Sequence, residues 1–232
     1  MQRRNELVTG LARRIADIGG AGTTRVGVDG VDGAGKTVFA DELGAALAAL
    51  GRPVIRAGTD AFHNPRAVRH RRGRDSPEGF FRDSFDYSRL RALLLDPLSP
   101  GGTGHFRRAA FDHETDSPVD APVEVAPTGA VLVFDGIFVH RPELLPYWDF
   151  SIFLRVGFDI SIPRLAGRIG CSAHPDSTDP NSAGNRRYVE GQRRYLAECQ
   201  PEHKATVVVD NTDLAAPVEV PAKPGMDRPR TV

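Results

Sequence analysis

One glycine-rich segment of this 232-residue chain combines the residue types that phosphate chemistry requires. It matches the pattern G-x-x-x-x-G-K-[ST] and reads Gly30-Val31-Asp32-Gly33-Ala34-Gly35-Lys36-Thr37. Glycines let a backbone curl so that successive N–H groups converge on phosphate oxygens. Lys36 is predicted to reach the β- and γ-phosphates, and the Thr37 hydroxyl to ligate Mg²⁺. The segment therefore predicts a site for ATP or GTP with Mg²⁺, whereas a plain strand-to-helix turn would not require Lys and Thr here.

Two carboxylates follow other predicted strands. Asp60 comes after the apolar run 53–56, and Asp135 comes after the run 130–134. Ligands of a parallel sheet lie beyond the carboxyl ends of its strands, so both side chains are predicted to share a rim with the glycine-rich loop. Asp60 could accept the proton of an attacking hydroxyl, and Asp135 could hold Mg²⁺ directly or through water. A helix cap is the alternative for each, and Asp60 could equally be a surface carboxylate.

Arginines form two groups. The later group flanks the polar segment 171–185, and arginines of such a closing lid can neutralise transferred phosphate. Arg168 and Arg187 are the predicted ATP ligands, while the others are predicted to form a solvated helix face. The second group, within 66–74, predicts a mobile loop at the acceptor site. Nucleic-acid binding is less favoured there, because no aromatic residues interleave the arginines and the net charge of the chain is zero.

Short apolar runs alternate with amphipathic patterns, which predicts an α/β domain whose parallel sheet is covered by helices on both faces. Strands are predicted at 25–29, 53–56, 130–134, 150–154 and 206–209. Helices are predicted at 1–18, 37–50, 87–95, 158–169 and 186–199, with Pro163 expected to kink or break the fourth. Loops are predicted at 61–81, 97–127 and 171–185.

Composition limits the class of protein. Acidic and basic residues number 30 each, so net charge does not indicate a polyanionic partner. Cys171 and Cys199 fit neither a zinc pattern nor a disulfide framework, and no secretory signal or membrane-spanning run is apparent, so we expect a cytoplasmic protein. One domain is predicted over 1–216, with a lid at about 164–194 and a disordered tail at 217–232. A small-molecule partner is expected, without nucleic acid or membrane, and a homo-oligomer is left open.

Four segments together resemble the uridine kinase, phosphoribulokinase and bacterial pantothenate kinase family of P-loop kinases. They are the P-loop (30–37), Asp60-Ala61-Phe62-His63, Asp83-Ser84-Phe85-Asp86 and Phe134-Asp135-Gly136-Ile137-Phe138-Val139. The resemblance implies a P-loop NTPase three-layer sandwich with a five-stranded parallel core sheet and a small lid. It also implies ATP or GTP as the donor, Asp60 as the general base and Asp135 near the metal.

The resemblance implies that the acceptor is bound by Phe62, His63, Phe85 and Phe111. The chain departs from the uridine kinase pattern at this site. His63 stands where those kinases have Tyr, and Phe80 stands where they have a ribose-binding carboxylate. A small-molecule kinase is therefore better supported than uridine itself. A nucleoside is the leading acceptor, and a pantothenate- or sugar-like alcohol is the alternative.

A nucleotide-binding regulatory protein of GTPase type is the alternative from another class. Such a protein would need a guanine-reading Asn-Lys-x-Asp after a strand. The segment Asn211-Thr212-Asp213 follows the last predicted strand but does not have that spacing. An acceptor loop carrying Asp60 would also have no purpose in a GTPase-like protein, so the kinase interpretation is preferred.

Overall fold

Helices and strands alternate along the chain, and the computed structural model describes residues 2–168 and 175–221. The described strands are β1 (Thr24–Gly30), β2 (Val54–Gly58), β3 (His105–Phe106), β4 (Phe111–Asp112), β5 (Ser117–Pro118), β6 (Glu124–Val125), β7 (Val131–Gly136), β8 (Phe150–Arg155), β9 (Val207–Asp210) and β10 (Val218–Val220). The described helices are α1 (Gln2–Ala16), α2 (Lys36–Ala49), α3 (Arg66–Arg69), α4 (Pro77–Asp83), α5 (Tyr87–Leu90), α6 (Phe158–Arg168), α7 (Pro175–Thr178), α8 (Arg186–Cys199) and α9 (Pro201–Lys204).

The central sheet has the strand order β10-β9-β8-β1-β7-β2. Five of these strands run parallel, as predicted, and β1 lies between β7 and β8. The sheet has six strands rather than five, because β10 pairs antiparallel with β9 at the edge. Val218–Val220 therefore corrects the prediction of a disordered tail from residue 217, although residues 222–232 lie outside the described part of the chain. The sequence of this strand, Val-Glu-Val, is too short to predict a strand from its pattern of apolar residues.

Two apolar clusters cover the two faces of this sheet. One joins β1, β7, β8 and β9 to α1 and α2, with Leu11, Ile15 and Leu43 among its buried members. The other joins β2 and β7 to α5 and to the helical segment Arg91–Leu95 that follows it, with Leu90 and Leu94 among its buried members. Every residue of β1 is buried, and its charged residues Arg25 and Asp29 are held there by hydrogen bonds. The result is the predicted three-layer arrangement of helices, sheet and helices.

Three predicted segments differ in detail. The predicted loop 61–81 contains α3 and α4, and α4 begins where the Ser76 side chain accepts a hydrogen bond from the Gly79 N–H. The predicted loop 97–127 forms the small antiparallel pairs β3–β6 and β4–β5. Helix α6 continues through Pro163, so the break that proline can cause is not observed. Throughout 2–168 and 175–221, none of the helices combines the length and apolarity of a membrane span.

Candidate active site

The P-loop joins β1 to α2, and its glycines are required by its geometry. Gly33 and Gly35 have φ angles of 75° and 87°, which residues with a side chain rarely adopt. A Cβ atom on Gly33 would lie 2.0 Å from the carbonyl oxygen of Ser161 in α6. Close packing against α6 therefore excludes any larger residue at position 33, and the loop backbone is held in a tight curve.

The start of α2 faces this curve. Gly35 is the N-cap residue of α2 and has no side chain to pair with the N–H groups of the first turn. Those N–H groups and the positive end of the helix dipole form an anion-binding site. The Lys36 ammonium lies over the loop, where it donates a hydrogen bond of 2.9 Å to the Val31 carbonyl. The loop therefore presents backbone and side-chain donors to the same place.

Thr37 and Asp135 form the candidate magnesium site. The Thr37 hydroxyl donates a hydrogen bond of 2.9 Å to Oδ2 of Asp135, which stands near the end of β7. The other carboxylate oxygen accepts a hydrogen bond of 2.9 Å from Arg56 on β2, so Asp135 has a fixed orientation. A hydroxyl and a carboxylate oxygen beside a phosphate-binding loop are the donors that Mg²⁺ prefers, and these residues fit the ion.

Asp60 reaches the same rim because two chain segments approach closely. It lies in a short helical turn, Thr59–Phe62, that directly follows β2. A Cβ atom on Gly136 would lie 2.1 Å from Oγ1 of Thr59, so only glycine allows the end of β7 to pack against this turn. The exposed Asp60 carboxylate therefore stands on the strand ends beside Asp135.

These groups line one cavity of about 460 Å³. Its wall includes the predicted donor-side residues Asp32, Gly33, Gly35, Lys36 and Thr37, together with Asp60 and Asp135. A larger groove of about 690 Å³ lies between α1 and α2. That groove is lined mainly by alanine, valine and leucine, and its one arginine, Arg4, is paired with Glu42, so we assign the candidate site to the smaller cavity.

An aromatic wall closes the acceptor side of this cavity. The ring of His63 lies 4.6 Å from that of Phe85 and stacks at 4.7 Å on His113. His63 Nδ1 is 2.9 Å from the Asp60 carbonyl oxygen, which can only accept, so Nδ1 carries the hydrogen. Burial is the main reason that the pKa of His63 is lowered, and the nearby Asp60 only partly offsets it. The ring is therefore neutral at pH 7.

Two of the four predicted acceptor residues do not line the cavity. Phe62 is fully buried in the core beside Leu90, and Phe111 in β4 is also buried. His63 and Phe85 do line it, together with Phe80, His113 and Tyr188, none of which was among the predicted acceptor residues. Phe111 matches an aromatic position of the family pattern, but it packs in the core. The side chain two residues later reaches the cavity instead.

Arg187 and Arg168 are the two arginines predicted as ATP ligands, and the structure describes the side chain of the first. The Arg187 guanidinium is 8% exposed and donates hydrogen bonds to the carbonyls of Arg69, Gly73 and Arg74. It does not line the cavity, so the prediction that Arg187 binds ATP is not supported by this arrangement. Arg168 ends α6, but its side chain lies outside the described residues, as do residues 171–174 of the predicted lid tip (171–185).

The basic segment 66–74 is held by carboxylates rather than left mobile. Asp83, which is 2% exposed, pairs with Arg71 and Arg72. Asp116 accepts hydrogen bonds from the Arg66 N–H and the Arg69 guanidinium. Three arginines of this segment, Arg69, Arg71 and Arg72, are therefore paired with carboxylates of the protein itself.

A buried polar network lies behind the P-loop, and no motif in the sequence indicates it. Asp29, at the end of β1, is fully buried and accepts hydrogen bonds from the N–H groups of Gly30 and His140 and from the Tyr195 hydroxyl. Nδ1 of His140 lies 2.7 Å from the same carboxylate. Burial, together with the neighbouring carboxylate, raises the pKa of Tyr195, which therefore remains a donor. These bonds fix the strand end from which the P-loop begins.

Solved structures of other proteins resemble the chain over most of its length. A protein from Bacillus stearothermophilus, provisionally named a uridine kinase, is 23% identical and has a TM-score of 0.69 over 92% of this chain and 100% of its own. A Silicibacter protein, provisionally named a fructose transport system kinase, is 24% identical, with a TM-score of 0.63 over 79% of this chain and 93% of its own. D-glycerate 3-kinase from Cryptococcus neoformans is 12% identical, with a TM-score of 0.59 over 94% and 98%.

These similarities establish the fold. The chain has the fold of the P-loop kinases, as its four sequence segments predict, and the whole of the Bacillus structure is matched. No protein-family model and no curated protein sequence matches the chain. The names of the Bacillus protein and of the Cryptococcus enzyme state different acceptors, so the acceptor of this chain must be argued from its own cavity.

Proposed function

We propose that this protein is an ATP-dependent, uridine kinase-like phosphotransferase that phosphorylates a hydroxyl group of a small molecule, with a nucleoside as the acceptor. The observation that carries the proposal is the shared cavity. The P-loop Lys36, the Thr37–Asp135 pair and the Asp60 carboxylate line the same 460 Å³ space. A donor site and a proton acceptor in one cavity are what transfer to an alcohol requires.

The donor half binds the triphosphate. The backbone N–H groups of the loop and of the first turn of α2 hold phosphate oxygens, and Lys36 moves from the Val31 carbonyl to the β- and γ-phosphates. Thr37 and Asp135 would hold Mg²⁺, which neutralises charge on the phosphate oxygens when it is bound. Arg56 keeps Asp135 turned toward Thr37 through its bond to Oδ1.

The acceptor half activates the hydroxyl. Asp60 accepts the hydroxyl proton as the acceptor oxygen forms a bond to the γ-phosphorus. The bond between that phosphorus and the β,γ-bridging oxygen breaks, and ADP leaves with the electron pair. Asp60 is exposed to the cavity, so it can reach the acceptor. The mechanism needs no other protein group to take the proton.

The charges of the cavity favour a neutral acceptor with a flat ring. Among the described residues of its wall, Lys36 is the single permanent cation, and Asp32, Asp60 and Asp135 are carboxylates. A carboxylate-bearing alcohol, such as glycerate or pantothenate, would be repelled by them and would compete with phosphate for Lys36. A nucleoside base instead suits the aromatic wall formed by the stacked rings of His63 and His113 and the tilted ring of Phe85.

The GTPase-like alternative receives no support from Asn211. Its side-chain amide is buried and donates a hydrogen bond of 2.7 Å to the Ala34 carbonyl within the P-loop. Its amide oxygen accepts a hydrogen bond from Arg4. Both the nitrogen and the oxygen of the Asn211 amide are therefore hydrogen-bonded within the protein, and the residue stabilises the P-loop.

The proposal is tested by measuring ADP release with a panel of acceptors. The panel contains pyrimidine and purine nucleosides, neutral sugars, and the carboxylate-bearing alcohols glycerate and pantothenate. We expect turnover above the ATPase background with at least one nucleoside and none with the carboxylate-bearing alcohols. Turnover confined to glycerate or pantothenate would overturn the acceptor assignment. ATP binding with no turnover on any member would favour a regulatory nucleotide-binding protein.

A further inference from the structure

Helix α8 contacts the P-loop through one buried side chain. Gln192, which is 1% exposed, accepts a hydrogen bond of 2.6 Å from the backbone N–H of Asp32. Its amide nitrogen donates to Oδ2 of Asp32 at 3.1 Å and to the Tyr188 carbonyl at 3.1 Å. One amide therefore binds both the main chain and the side chain of a P-loop residue, which fixes Asp32 in position and in orientation.

This contact decides which donors face the phosphates. The N–H of Asp32 is used by Gln192, so the converging donors are supplied by the other residues of the loop. The carboxylate of Asp32 lies in the cavity wall, where a negative charge opposes phosphate binding. The amide donor of Gln192 restrains that carboxylate and partly offsets its charge.

A second anchor on α8 holds the strand end before the loop. Tyr195, three residues after Gln192 on the same helix, donates a hydrogen bond to the buried Asp29 carboxylate. The other oxygen of Asp29 accepts the N–H of Gly30 at 2.7 Å. The helix thus holds the loop at its start and at its third residue.

The same helix also contacts the acceptor side. The Tyr188 ring lines the cavity and packs edge-on against Phe80 at 5.0 Å between ring centres. At Gly191, a Cβ atom would lie 2.8 Å from Phe80 and from the Pro77 carbonyl, so α8 and α4 are in close contact. Arg187 joins α8 to the segment 69–74. Any shift of α8 would therefore move groups on both sides of the cavity.

We propose that Gln192 is a positioning residue for nucleotide binding, which holds Asp32 so that the P-loop keeps its phosphate-binding shape. This inference rests on the proposed nucleotide binding. It predicts that a carboxylate at position 192 repels the Asp32 carboxylate and thereby weakens nucleotide affinity. It also predicts that an amide at position 32 restores the pair, because the amide N–H₂ of the Asp32→Asn side chain can donate to the new carboxylate in the double variant.

The test is a double-mutant cycle on nucleotide dissociation constants, measured by calorimetry with a non-hydrolysable ATP analogue and Mg²⁺. We expect Gln192→Glu to weaken affinity about tenfold or more, and Asp32→Asn in that background to recover most of the loss. Gln2→Glu is the matched control, because it makes the same change on the exposed first turn of α1. A merely structural role for Gln192 would not give recovery by Asp32→Asn.

The outcomes separate the two proposals. If the wild type binds no nucleotide, the proposed function fails. If the wild type binds but folded Gln192→Glu binds equally well, or if Asp32→Asn restores nothing, the inference about Gln192 is overturned. Should Gln192→Glu fail to fold, Gln192→Met keeps the length of the side chain without its hydrogen bonds. We expect folded Gln192→Met to bind about tenfold more weakly, and wild-type affinity in that variant would contradict the inference.

Discussion

The Thr37 hydroxyl donates a hydrogen bond of 2.9 Å to the Asp135 carboxylate beside the P-loop. The two residues are 98 positions apart in the sequence and belong to α2 and β7. The parallel pairing of β1 with β7 brings them together, because it places the ends of both strands on the same rim. The candidate magnesium site is therefore a consequence of strand order.

Thr37→Ala tests this pair. The substitution removes the oxygen donor, so the Mg²⁺ concentration needed for half-maximal phosphoryl transfer should rise about tenfold or more. Thr37→Ser keeps the hydroxyl and should stay close to the wild type. A titration of turnover against Mg²⁺ at saturating ATP gives the comparison. Equal Mg²⁺ dependence in the Ala and Ser variants would remove Thr37 from the metal site.

Gly136→Ala tests the close approach that places Asp60. The new Cβ would meet Oγ1 of Thr59 at 2.1 Å, so the variant should lose about 1–3 kcal/mol of unfolding free energy in urea denaturation. Gly10→Ala is the control, because nothing lies within 4 Å of a Cβ there. That helical site should gain about 0.5–1 kcal/mol. Unchanged stability in Gly136→Ala would mean that the turn carrying Asp60 is not held as described.

Asp83→Asn tests whether the basic segment is held by ion pairs. Burial would raise the pKa of Asp83, but hydrogen bonds and charge from Arg71 and Arg72 outweigh it and lower the pKa below its ordinary value. A lowered folded-state pKa stabilises the protein above the ordinary aspartate pKa of about 3.9 and loses that effect as pH falls through the folded value.

The wild type should therefore be more stable than Asp83→Asn at pH 7, and the difference should shrink below about pH 4. Thermal or urea unfolding across pH 3–7 measures it. Asp17→Asn, at an exposed position in the turn after α1, should show no comparable difference. If the difference in unfolding stability between the wild type and Asp83→Asn were the same at all pH values, the ion-pair account would be contradicted.

Protonation of His63 should make the KM for the acceptor depend on pH. Its lowered pKa keeps the ring neutral at pH 7, and protonation places a charge beside His113 in the aromatic wall. We expect the KM for the acceptor to be constant from about pH 8 down to about pH 6.5, the ordinary pKa of histidine. The KM should rise only below that pH. His63→Gln should raise KM at every pH and remove the rise, with little change in ATP affinity. An identical pH profile in His63→Gln would exclude this role.

The donor half of the site was predictable because its signals are local. The P-loop is contiguous, and Asp60 and Asp135 each follow a short, mostly apolar run that forms a parallel strand. β10 was not predictable, since its pairing depends on the free edge of β9 rather than on its own three residues.

The acceptor half depends on side-chain directions that the sequence does not specify. Phe80, His113 and Tyr188 come from α4, the turn after β4 and α8, and they meet only in three dimensions. Arg187 flanks the polar segment 171–185 of the predicted lid, but it lies on the inner face of α8 and donates hydrogen bonds to backbone carbonyls. The spacing predicted the helix that carries Tyr188 and Arg187 without showing which way these side chains face, whereas Phe80 and His113 fall in segments that were predicted as loops.

The most direct measurement follows the γ-phosphate itself. ATP labelled at the γ-phosphate is incubated with Mg²⁺ and a nucleoside, and the label is sought in the nucleoside by chromatography and mass spectrometry. The account predicts labelled nucleoside with the wild type. It predicts about hundredfold or greater loss of labelling rate with Asp60→Asn, while ATP affinity is retained and the exposed control Asp17→Asn is unaffected. Full labelling by Asp60→Asn, or label that passes only to water in the wild type, would contradict it.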